Sequence, residues 1–460
     1  MARGHRPPPP WYHCLCSCRA HPAQAYRHEG CMTGIGQYPL GQGLMKKRPR
    51  IENELTVEVL SHAARYLHGR PPSADVVILE SADAIMPFRS DIDTLAASAT
   101  DRNVQFESVT LVSAMEHLQK KDEARVALLW SEADGAGNRL LIGLMPYRVS
   151  RGLYGSPFPV WHIWQHIHSY IGTPLLRGGY EQQAVRRFLA LAEMQGAALV
   201  EFPLFEAEGA FDKALREVMA SDDIRFRETD RHQRAFLRSE LDGEAYLAAN
   251  IRKKKRKEFN RLWNRLAEMG TLDFTTHDGG ENLDEWVARF LALEAQGWKG
   301  RRGTAMKARA NERAYFEEIC RGAHRAGTLH CTELTLDGKP LAMLASFRSG
   351  RGVFTFKIAF DESYSRYSPG TLLMLKAIGA FLGDEKTDWV DSCAVPGHPM
   401  IDHIWAERRT MSSMLVTTDH AFSTPLAGWI ALGQRAEAAA RAKLRLLYDR
   451  LQGDGNEQAD

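Results

Sequence analysis

The chain has 460 residues, of which 44% are hydrophobic and 25% charged, a composition typical of globular proteins with two or three domains. The formal net charge is only +2, so overall electrostatics give no reason to expect nucleic acid as a partner. The sequence has no run of about 18 apolar residues and therefore predicts no membrane-spanning helix.

Residues 1–48 are rich in Pro, Gly, His and Arg and lack the apolar centre of a signal peptide. Their CLCSC run lacks the CxxC spacing of a zinc knuckle, so we expect a disordered extension, or an upstream start with Met32 or Met45 as the true first residue. Four of the seven cysteines lie here: Cys14, Cys16, Cys18 and Cys31. The other three are isolated, as small buried side chains of a reducing, cytoplasmic compartment are: Cys320, Cys331 and Cys393.

The first half of the ordered chain alternates strand and helix patterns. In chain order it predicts a strand at 75–80, helices at 92–98 and 111–120, a hairpin at 125–130 and 139–147, a helix at 181–195, a strand at 197–202 and a helix at 210–220. The hairpin prediction depends on DGAGN between two apolar runs, because these residues favour turns.

The second half repeats this order more clearly. It predicts a basic helix at 248–269, a strand at 271–276, helices at 282–296 and 311–326, strands at 328–336, 340–348 and 352–360, a helix ending at 382 and a strand at 388–393. The last strand is expected beside the three-stranded meander. An amphipathic helix is predicted at 427–452, packing on the body or on a second subunit.

Five segments together carry a family resemblance: IRKKKRKEFNRLWNRLAEMG, FLALEAQGWKGRRGTA, ELTLDGKPLAMLASFR, KIAFDESYSRYSPGTLL and DHIWAERR. They resemble the GNAT superfamily and, more narrowly, acetyltransferases of bacterial polysaccharide and cellulose biosynthesis clusters, a branch related to the Fem peptidyltransferases. The resemblance covers residues 252–417 well and 90–242 weakly.

The resemblance implies an α/β fold with two tandem GNAT-like halves, each a mixed, mostly antiparallel sheet flanked by helices. The expected division is a disordered extension (1–48), an N-terminal GNAT-like domain (49–242), a GNAT acyltransferase domain (243–425) and a helix with a tail (426–460). Members bind acyl-CoA where the fourth and fifth strands separate, with the pyrophosphate on amides of an RxxGxG/A loop. Arg366 to Thr371 occupies that place here, with Pro369 at the first glycine position.

The residues themselves favour the same anion site. Pro369 suits the first helical position, Ser368 can cap the helix, and Gly370 allows close approach of a ligand. The amides of Gly370, Thr371 and Leu372 would then point at an anion. The alternative is that SPG is only an ordinary helix start.

Acyl transfer needs a base for the nucleophile and an acid for the leaving thiolate. Lys357 and Asp361 lie four residues apart and thus on one face of an ideal strand, and Asp391 lies across the expected gap, where partial burial would raise its pKa. A capping role or an ion pair with Lys357 is the structural alternative. The thioester oxyanion would be stabilised by a backbone N–H of the fourth strand.

Three further side chains are candidates for proton transfer. Tyr364 and Tyr367 are placed to protonate the thiolate, as a Tyr does in many members of the family, although loop tyrosines often only close a core. His398 follows the fifth strand and would titrate at the mouth of the cleft, although a capping or surface role is more usual.

Two segments are candidates for binding the acceptor or another anion. In the resembling family, Trp298 and Lys299 border the acceptor pocket, and a Trp face suits a sugar ring or an acyl chain. The alternative is an anchoring Trp at a helix end. The basic run at 252–257 is either a solvated helix face, an attractant for an anionic acceptor or the 3′-phosphate of CoA, or a contact for the tRNA of a Fem-type donor.

The sequence therefore predicts a cytoplasmic acyltransferase that uses acetyl-CoA or another acyl-CoA as co-substrate, requires no metal and acts on a sugar or cell-envelope precursor. The expected partner is a saccharide or small-molecule acceptor, and the C-terminal helix offers a route to an oligomer. The alternatives are an aminoacyl-tRNA-dependent peptidyltransferase, which would bind tRNA, and a non-catalytic scaffold in polysaccharide synthesis.

Overall fold

The computed structural model describes residues 75–120, 123–418 and 422–453. The predicted N-terminal extension and its four cysteines lie outside the described residues. The strands are β1 (Val76–Leu79), β2 (Arg125–Trp130), β3 (Leu141–Ser150), β4 (Val160–Ile163), β5 (Leu175–Leu176), β6 (Leu199–Glu206), β7 (Phe226–Leu237), β8 (Leu272–His277), β9 (Leu329–Leu336), β10 (Lys339–Ser349), β11 (Gly352–Phe360), β12 (Trp389–Asp391) and β13 (Glu407–Thr417).

The helices flank a sheet built from these strands. They are α1 (Ala82–Ile85), α2 (Arg89–Ser98), α3 (Ser108–His117), α4 (Glu181–Met194), α5 (Ala210–Ser221), α6 (Gly243–Asn250), α7 (Lys253–Ala267), α8 (Leu283–Gln296), α9 (Trp298–Arg301), α10 (Ala310–Arg325), α11 (Pro369–Leu382) and α12 (Ser423–Gly453). Short 3₁₀ helices at Glu362–Tyr367 and Ile401–His403 lie near the ends of α11 and β12.

All the described strands belong to one continuous sheet. Its order is β1-β2-β3-β4-β6-β13-β7-β12-β11-β10-β9-β8, with β5 paired to β3. Most neighbours are antiparallel, and the parallel pairs are β4 with β6 and β11 with β12. The predicted fold class, two tandem halves with a mixed, mostly antiparallel sheet flanked by helices, is confirmed.

The two halves exchange their last strands at the centre of the sheet. β7 follows the first half along the chain but pairs with β12 of the second half, and β13 of the second half pairs with β6 of the first. β7 and β13 also pair with each other over most of their length. The sequence FRETDRHQRAFL gave no strand signal for β7, because its charged residues are largely exposed and show no apolar alternation.

The sheet of the second half has two covered faces. On one face, which we call the α10 face, α8 and α10 pack against the sheet, and the ring of Phe316 stacks 6.0 Å from that of Phe356. On the other, the α11 face, helices α6, α7 and α11 cover a separate apolar cluster that includes Leu344 and Val353. The two faces therefore present different surroundings to a ligand that reaches the sheet.

The basic helix predicted at 248–269 is two helices. Ile251 adopts extended backbone with φ −114° and ψ 125° and is buried in the cluster under α11, which ends α6 and restarts the chain as α7. Neither Pro nor Gly marks this break, so its cause is the burial of one apolar side chain.

The C-terminal helix α12 packs on the body with its first turns. Ala427, Ile430 and Ala431 cover Val160 and Leu199 of the first half. The side chains of residues 437–444 are exposed, so the described end of the helix extends from the body. Among the described residues, no helix combines the length and the apolar character needed to cross a lipid bilayer.

Candidate functional site

The strands β11 and β12 separate after a short parallel contact. Three residue pairs join them, ending at Phe354 opposite Asp391. β11 then continues to Phe360 along β10, while Ser392 donates from its backbone N–H to Ala235 O on β7 at 3.3 Å. Beyond Phe354, β11 has no strand partner on this edge among the described strands. We call this opening the fork.

A β-bulge lies on β11 at the fork. Ala345 of β10 is opposite Lys357, whereas Ser346 is opposite Thr355, so Phe356 has no opposite residue. A bulge of this kind bends a strand and redirects its side chains and amides, and bulges are common next to active sites. The fork therefore has an irregular, partly unpaired backbone along one side.

Helix α11 begins at the mouth of the fork. Pro369 occupies the first helical position, as predicted. The expected Ser368 cap is wrong, because Ser368 has left-handed backbone with φ 55° and its side chain caps no amide. The Leu372 N–H donates to Ser368 O at 3.1 Å, so it is not free for an anion. Among the described residues, this leaves the amides of Gly370 and Thr371 as first-turn donors.

Gly370 is buried where α11 meets β11. A Cβ added there would lie 3.6 Å from Phe360 Cδ1, 3.7 Å from Ile358 Cδ1 and 3.9 Å from Met400 Sδ. These are ordinary contacts, so alanine fits and a large side chain does not. The preceding 3₁₀ helix carries Arg366, whose guanidinium carbon lies 4.7 Å from the ring centre of Tyr367.

The expectation of a raised pKa for Asp391 is wrong. Asp391 is fully buried, and burial alone would raise its pKa, but the charges of Arg234 and Arg409 outweigh burial and lower it. Arg234 Nη2 and Arg409 Nη1 lie 2.6 Å and 2.8 Å from Asp391 Oδ2. The carboxylate is therefore an anchor between β7, β12 and β13, and its partners are these arginines rather than Lys357.

Asp361 and Lys357 occupy different environments. Asp361 caps the 3₁₀ helix that follows β11, since its Oδ1 accepts from Ser363 N–H at 2.9 Å and Ser363 Oγ at 2.6 Å. Lys357 is buried beside the bulge, with its Nζ 5.7 Å from the ring centre of Phe356. Capping is thus the observed role of Asp361.

A buried acid that the sequence did not single out lies beside Lys357. Glu294 of α8 accepts from Lys299 Nζ at 3.0 Å and from Met306 N–H at 2.9 Å. Burial raises the pKa of Glu294, but the charges of Lys299 and Lys357 outweigh burial and lower it. The predicted acceptor residue Lys299 is therefore paired with Glu294, and the side chain of Trp298 lies outside the described residues. A glutamate inside the apolar run FLALEAQ was the signal for this site.

The other predicted proton-transfer residues lie around the helix start. The rings of Tyr364 and Tyr367 are 6.4 Å apart and are partly buried on the α11 face. His398 is buried, and its Nδ1 accepts from the Met400 and Ile401 N–H groups at 3.3 Å and 3.4 Å. Burial lowers the pKa of His398, partly offset by Asp402, so the ring is neutral with its proton on Nε2. His398 thus caps a turn rather than titrating at the cleft mouth.

A segment from the first half covers the fork on the α10 face. We call residues 164–170 the histidine segment, because it carries His166 and His168. The ring of Tyr170 lies 6.2 Å from Phe354 and 6.3 Å from Phe356. Burial and then the neighbouring Cys393 raise the pKa of Tyr170, so its hydroxyl stays protonated. The sequence WQHIHSY has the composition of a site, but nothing in it indicates contact with residues nearly two hundred positions later.

The late cysteines are reduced and well enclosed. Cys320 and Cys331 are buried and Cys393 is half-buried, as predicted for small core side chains. Burial raises the pKa of each thiol above its usual value. Within residues 75–120, 123–418 and 422–453, no group of three or more His, Cys, Asp or Glu side chains is placed to hold a metal ion.

One protein-family model matches part of the second half of the chain. The family model described as an acetyltransferase (GNAT) domain matches residues 253–394, which include α7, the fork, the bulge and the start of α11. No curated protein matches the chain.

Solved structures with a similar fold have low sequence identity. FemX is 11% identical with a TM-score of 0.48 and covers 75% of this chain and 98% of its own. A conserved protein of unknown function from Bacteroides thetaiotaomicron VPI-5482 is 12% identical with a TM-score of 0.47, covering 72% and 97%. A tandem GNAT protein from the clavulanic acid biosynthesis pathway is 14% identical with a TM-score of 0.37, covering 74% and 97%. Likeness at this level assigns no activity. Residues 253–394 therefore match the acetyltransferase (GNAT) domain family.

Proposed function

We propose that the protein is an acyl-CoA-dependent N- or O-acyltransferase whose donor site is the fork of the second half. The observation that carries this proposal is the combination of separated strands, a bulge on β11 and a helix start with two first-turn donors at its mouth. Each feature supports one part of acyl transfer. Together they offer a channel for a pantetheine arm, a donor for an oxyanion and a cradle for a diphosphate.

The α11 start is the proposed diphosphate cradle. The amides of Gly370 and Thr371 and the positive end of the helix dipole favour an anion there. No acidic side chain lies in the first turn of α11. Arg366 is exposed on the adjoining 3₁₀ helix and adds a positive charge at the same opening.

The bulge region is the proposed centre of the reaction. The acceptor's amine or hydroxyl attacks the thioester carbon, the new bond forms, and the C–S bond then breaks. We assign the stabilisation of negative charge on the carbonyl oxygen to backbone N–H groups of β11 and to the buried side chain of Lys357. Tyr364 and Tyr367 remain candidates to protonate the thiolate sulfur, because both lie on the face from which the donor would enter.

The acceptor is proposed to be a sugar or cell-envelope precursor, on the resemblance to polysaccharide-cluster acetyltransferases. Acetyl-CoA is the proposed donor. A thiol-release assay with acetyl-CoA and a panel of amino sugars tests the reaction, and binding of acetyl-CoA without any release would support the scaffold alternative.

Calorimetric titration of acetyl-CoA tests the donor site. Gly370→Trp should abolish binding, because the added ring cannot fit between α11 and β11. Gly370→Ala is the matched control and should retain binding, since its Cβ makes only ordinary contacts. Equal affinity of wild type and Gly370→Trp would refute a diphosphate site at this helix start.

An aminoacyl-tRNA donor is the second candidate, and the exposed basic face of α7 favours it. Arg252, Lys253, Lys254 and Lys257 are exposed, and α7 packs against the 3₁₀ helix that leads into α11. Salt-sensitive binding of tRNA together with no binding of acetyl-CoA would replace the first proposal by this one.

A further inference from the structure

Two neighbouring buried side chains beside the fork carry polar atoms that make no hydrogen bond among the described residues. They are His168, which is 5% exposed, at both Nδ1 and Nε2, and Tyr315, which is fully buried, at its hydroxyl oxygen. The two rings stack with centres 5.7 Å apart. Buried polar groups are nearly always paired, so these unpaired atoms indicate a place for a polar group of a ligand or water.

The other nitrogen of His168 meets a carboxylate from the second half. Glu312 Oε2 on α10 lies 3.1 Å from His168 Nε2, in an oblique contact of the kind that catalytic groups often show without substrate. Glu312 Oε1 accepts from Arg309 Nη1 at 2.6 Å. Burial raises the pKa of Glu312, but hydrogen bonds from His168 and Arg309 outweigh burial and lower it to about 2.

The charge on Glu312 determines the tautomer of His168. An ionised carboxylate beside Nε2 requires a hydrogen on that nitrogen, so in the neutral ring the lone pair lies on Nδ1. Nδ1 has no hydrogen-bond partner among the described residues, whereas Nε2 has the 3.1 Å contact with Glu312. The arrangement is a histidine oriented by a carboxylate with its basic nitrogen free.

His166 cannot fill the same role. Its Nδ1 accepts from the His168 backbone N–H at 3.2 Å, which leaves the proton on Nε2. Burial and then the neighbouring His168 lower its pKa to about 3, so it remains a neutral donor. The ring of His166 lies 5.4 Å from that of Tyr315, and the residue is mostly buried.

The position of His168 is fixed relative to the bulge. Its ring meets Phe356 edge to face with centres 5.9 Å apart. The buried amide of Gln105 donates from Nε2 to His168 O at 2.9 Å and accepts at Oε1 from Tyr170 N–H at 3.0 Å. His168 therefore approaches the fork from the α10 face, opposite the face where α11 would hold the diphosphate.

We propose that His168, oriented by Glu312, is the general base that removes the proton from the acceptor. This inference rests on the proposed acyltransferase function and replaces Asp391 and Asp361 in that role. As the acceptor's nitrogen or oxygen bonds to the thioester carbon, its proton moves to His168 Nδ1. The C–S bond then breaks, and the imidazolium, stabilised by Glu312, returns the proton to the departing thiolate or to solvent.

The proposal makes the active site a joint product of the two halves. His168 comes from the first half, whereas Glu312, Tyr315 and the bulge come from the second. On this proposal the acceptor binds among buried aromatic rings. Such a site suits an amine or hydroxyl group on a narrow chain or at the edge of a ring better than one on a bulky charged surface.

The test is the rate of thiol release from acetyl-CoA with the amino-sugar panel and with water alone. His168→Gln should lower kcat by about 10²- to 10⁴-fold, the usual contribution of a general base, while the Kd of acetyl-CoA stays near that of wild type. Glu312→Gln should lower kcat less. His117→Gln is the matched control, because His117 and Glu318 form another histidine–glutamate contact between α3 and α10, and it should leave kcat unchanged.

Two readouts separate catalysis from a structural role. In the wild type kcat/KM should fall at low pH, and this fall should be lost in His168→Gln. The titratable and charged groups around His168 are Glu312, Arg309, Tyr315 and His166. Added imidazole should restore activity to His168→Ala.

The outcomes distinguish the two proposals. Wild-type protein that binds no acetyl-CoA would refute the acyltransferase function and this inference with it. Wild-type protein that turns over while His168→Gln does so at the same rate, or His168→Ala that imidazole does not rescue, would refute the inference alone.

Discussion

Each half contains two strands that separate after a short parallel contact, and the surroundings of the two openings differ. β4 and β6 pair in parallel over three residues, as β11 and β12 do. In the first half, the last paired residues are His162 and Glu201, whose side chains contact each other, and Gln434 of α12 donates to Glu201 at 2.7 Å. In the second half, the last paired residue of β12 is Asp391, which binds Arg234 and Arg409 on the neighbouring strands.

The helix starts differ in the same sense. Helix α4 begins with Glu181 in its first turn, which places a negative charge where an anion would bind, whereas α11 begins with Pro369, Gly370 and Thr371. The pairing of β3 with β4 also runs without a bulge. Strand separation is therefore common to both halves. The two openings differ in the side chains that lie beside the separated strands.

The largest effect is expected from breaking the anchor that holds Asp391 away from its fork. Asp391→Asn should lower the free energy of unfolding by about 3–5 kcal/mol, because it leaves buried arginine charge uncompensated. The lowered pKa means that this carboxylate stabilises the fold above its unfolded pKa and loses that effect as pH falls below it. Denaturant titration at neutral and acidic pH measures both.

Glu201→Gln, at the equivalent position of the first fork, is the matched variant and should cost only about 1 kcal/mol. Equal stability of Asp391→Asn and wild type at pH 7 would contradict a stabilising role for the contacts of Asp391 with Arg234 and Arg409.

A medium effect is expected from giving α11 the acid that α4 carries. Thr371→Asp should weaken acetyl-CoA binding by about tenfold or more, because the carboxylate competes with the diphosphate for the helix start. Glu181→Gln should leave the affinity unchanged. Calorimetry on both variants decides, and an increase in affinity in Glu181→Gln without a loss in Thr371→Asp would move the donor to the first half.

The smallest effect is expected from a contact between the two halves. Glu107 precedes α3 and accepts from Ser349 Oγ at the end of β10. Burial raises its pKa to about 7, against smaller lowering by Ser349 and Arg102. The protonated form therefore favours folding, and stability should fall by about 1 kcal/mol per pH unit as the pH rises from about 4.5 to about 7. Thermal melts of Glu107→Gln should lack this slope, and parallel slopes in both proteins would contradict the assignment.

Local patterns predicted most elements of the fold. The meander β9 to β11 follows from alternating apolar runs joined by Asp337-Gly338 and Gly350-Arg351-Gly352, and α11 follows from Pro369 and its apolar stretch. These signals act within a few residues, which is why they can be read from one sequence. The exchange of β7 and β13 cannot, because neither strand shows apolar alternation over its length and both pairings join distant parts of the chain.

The site was predictable only in part. The residues predicted the helix start, and the family resemblance implied the fork. The predicted roles of Asp391 and Ser368 were wrong, because they depend on Arg234 and Arg409 and on one backbone angle. Glu312 lies 144 positions from His168, so no spacing rule relates them. The basic helix broke at Ile251 for a similar reason, since burial against a distant cluster decided it.

The exchanged strands have a consequence for how the protein can be dissected. A fragment cut between the halves would expose the edge of β12 or β6 and release a strand that belongs to the other fragment, so neither piece should fold as an independent unit. The same interlock makes the stability of each half depend on the other. The first half is therefore part of the scaffold on which the second half depends.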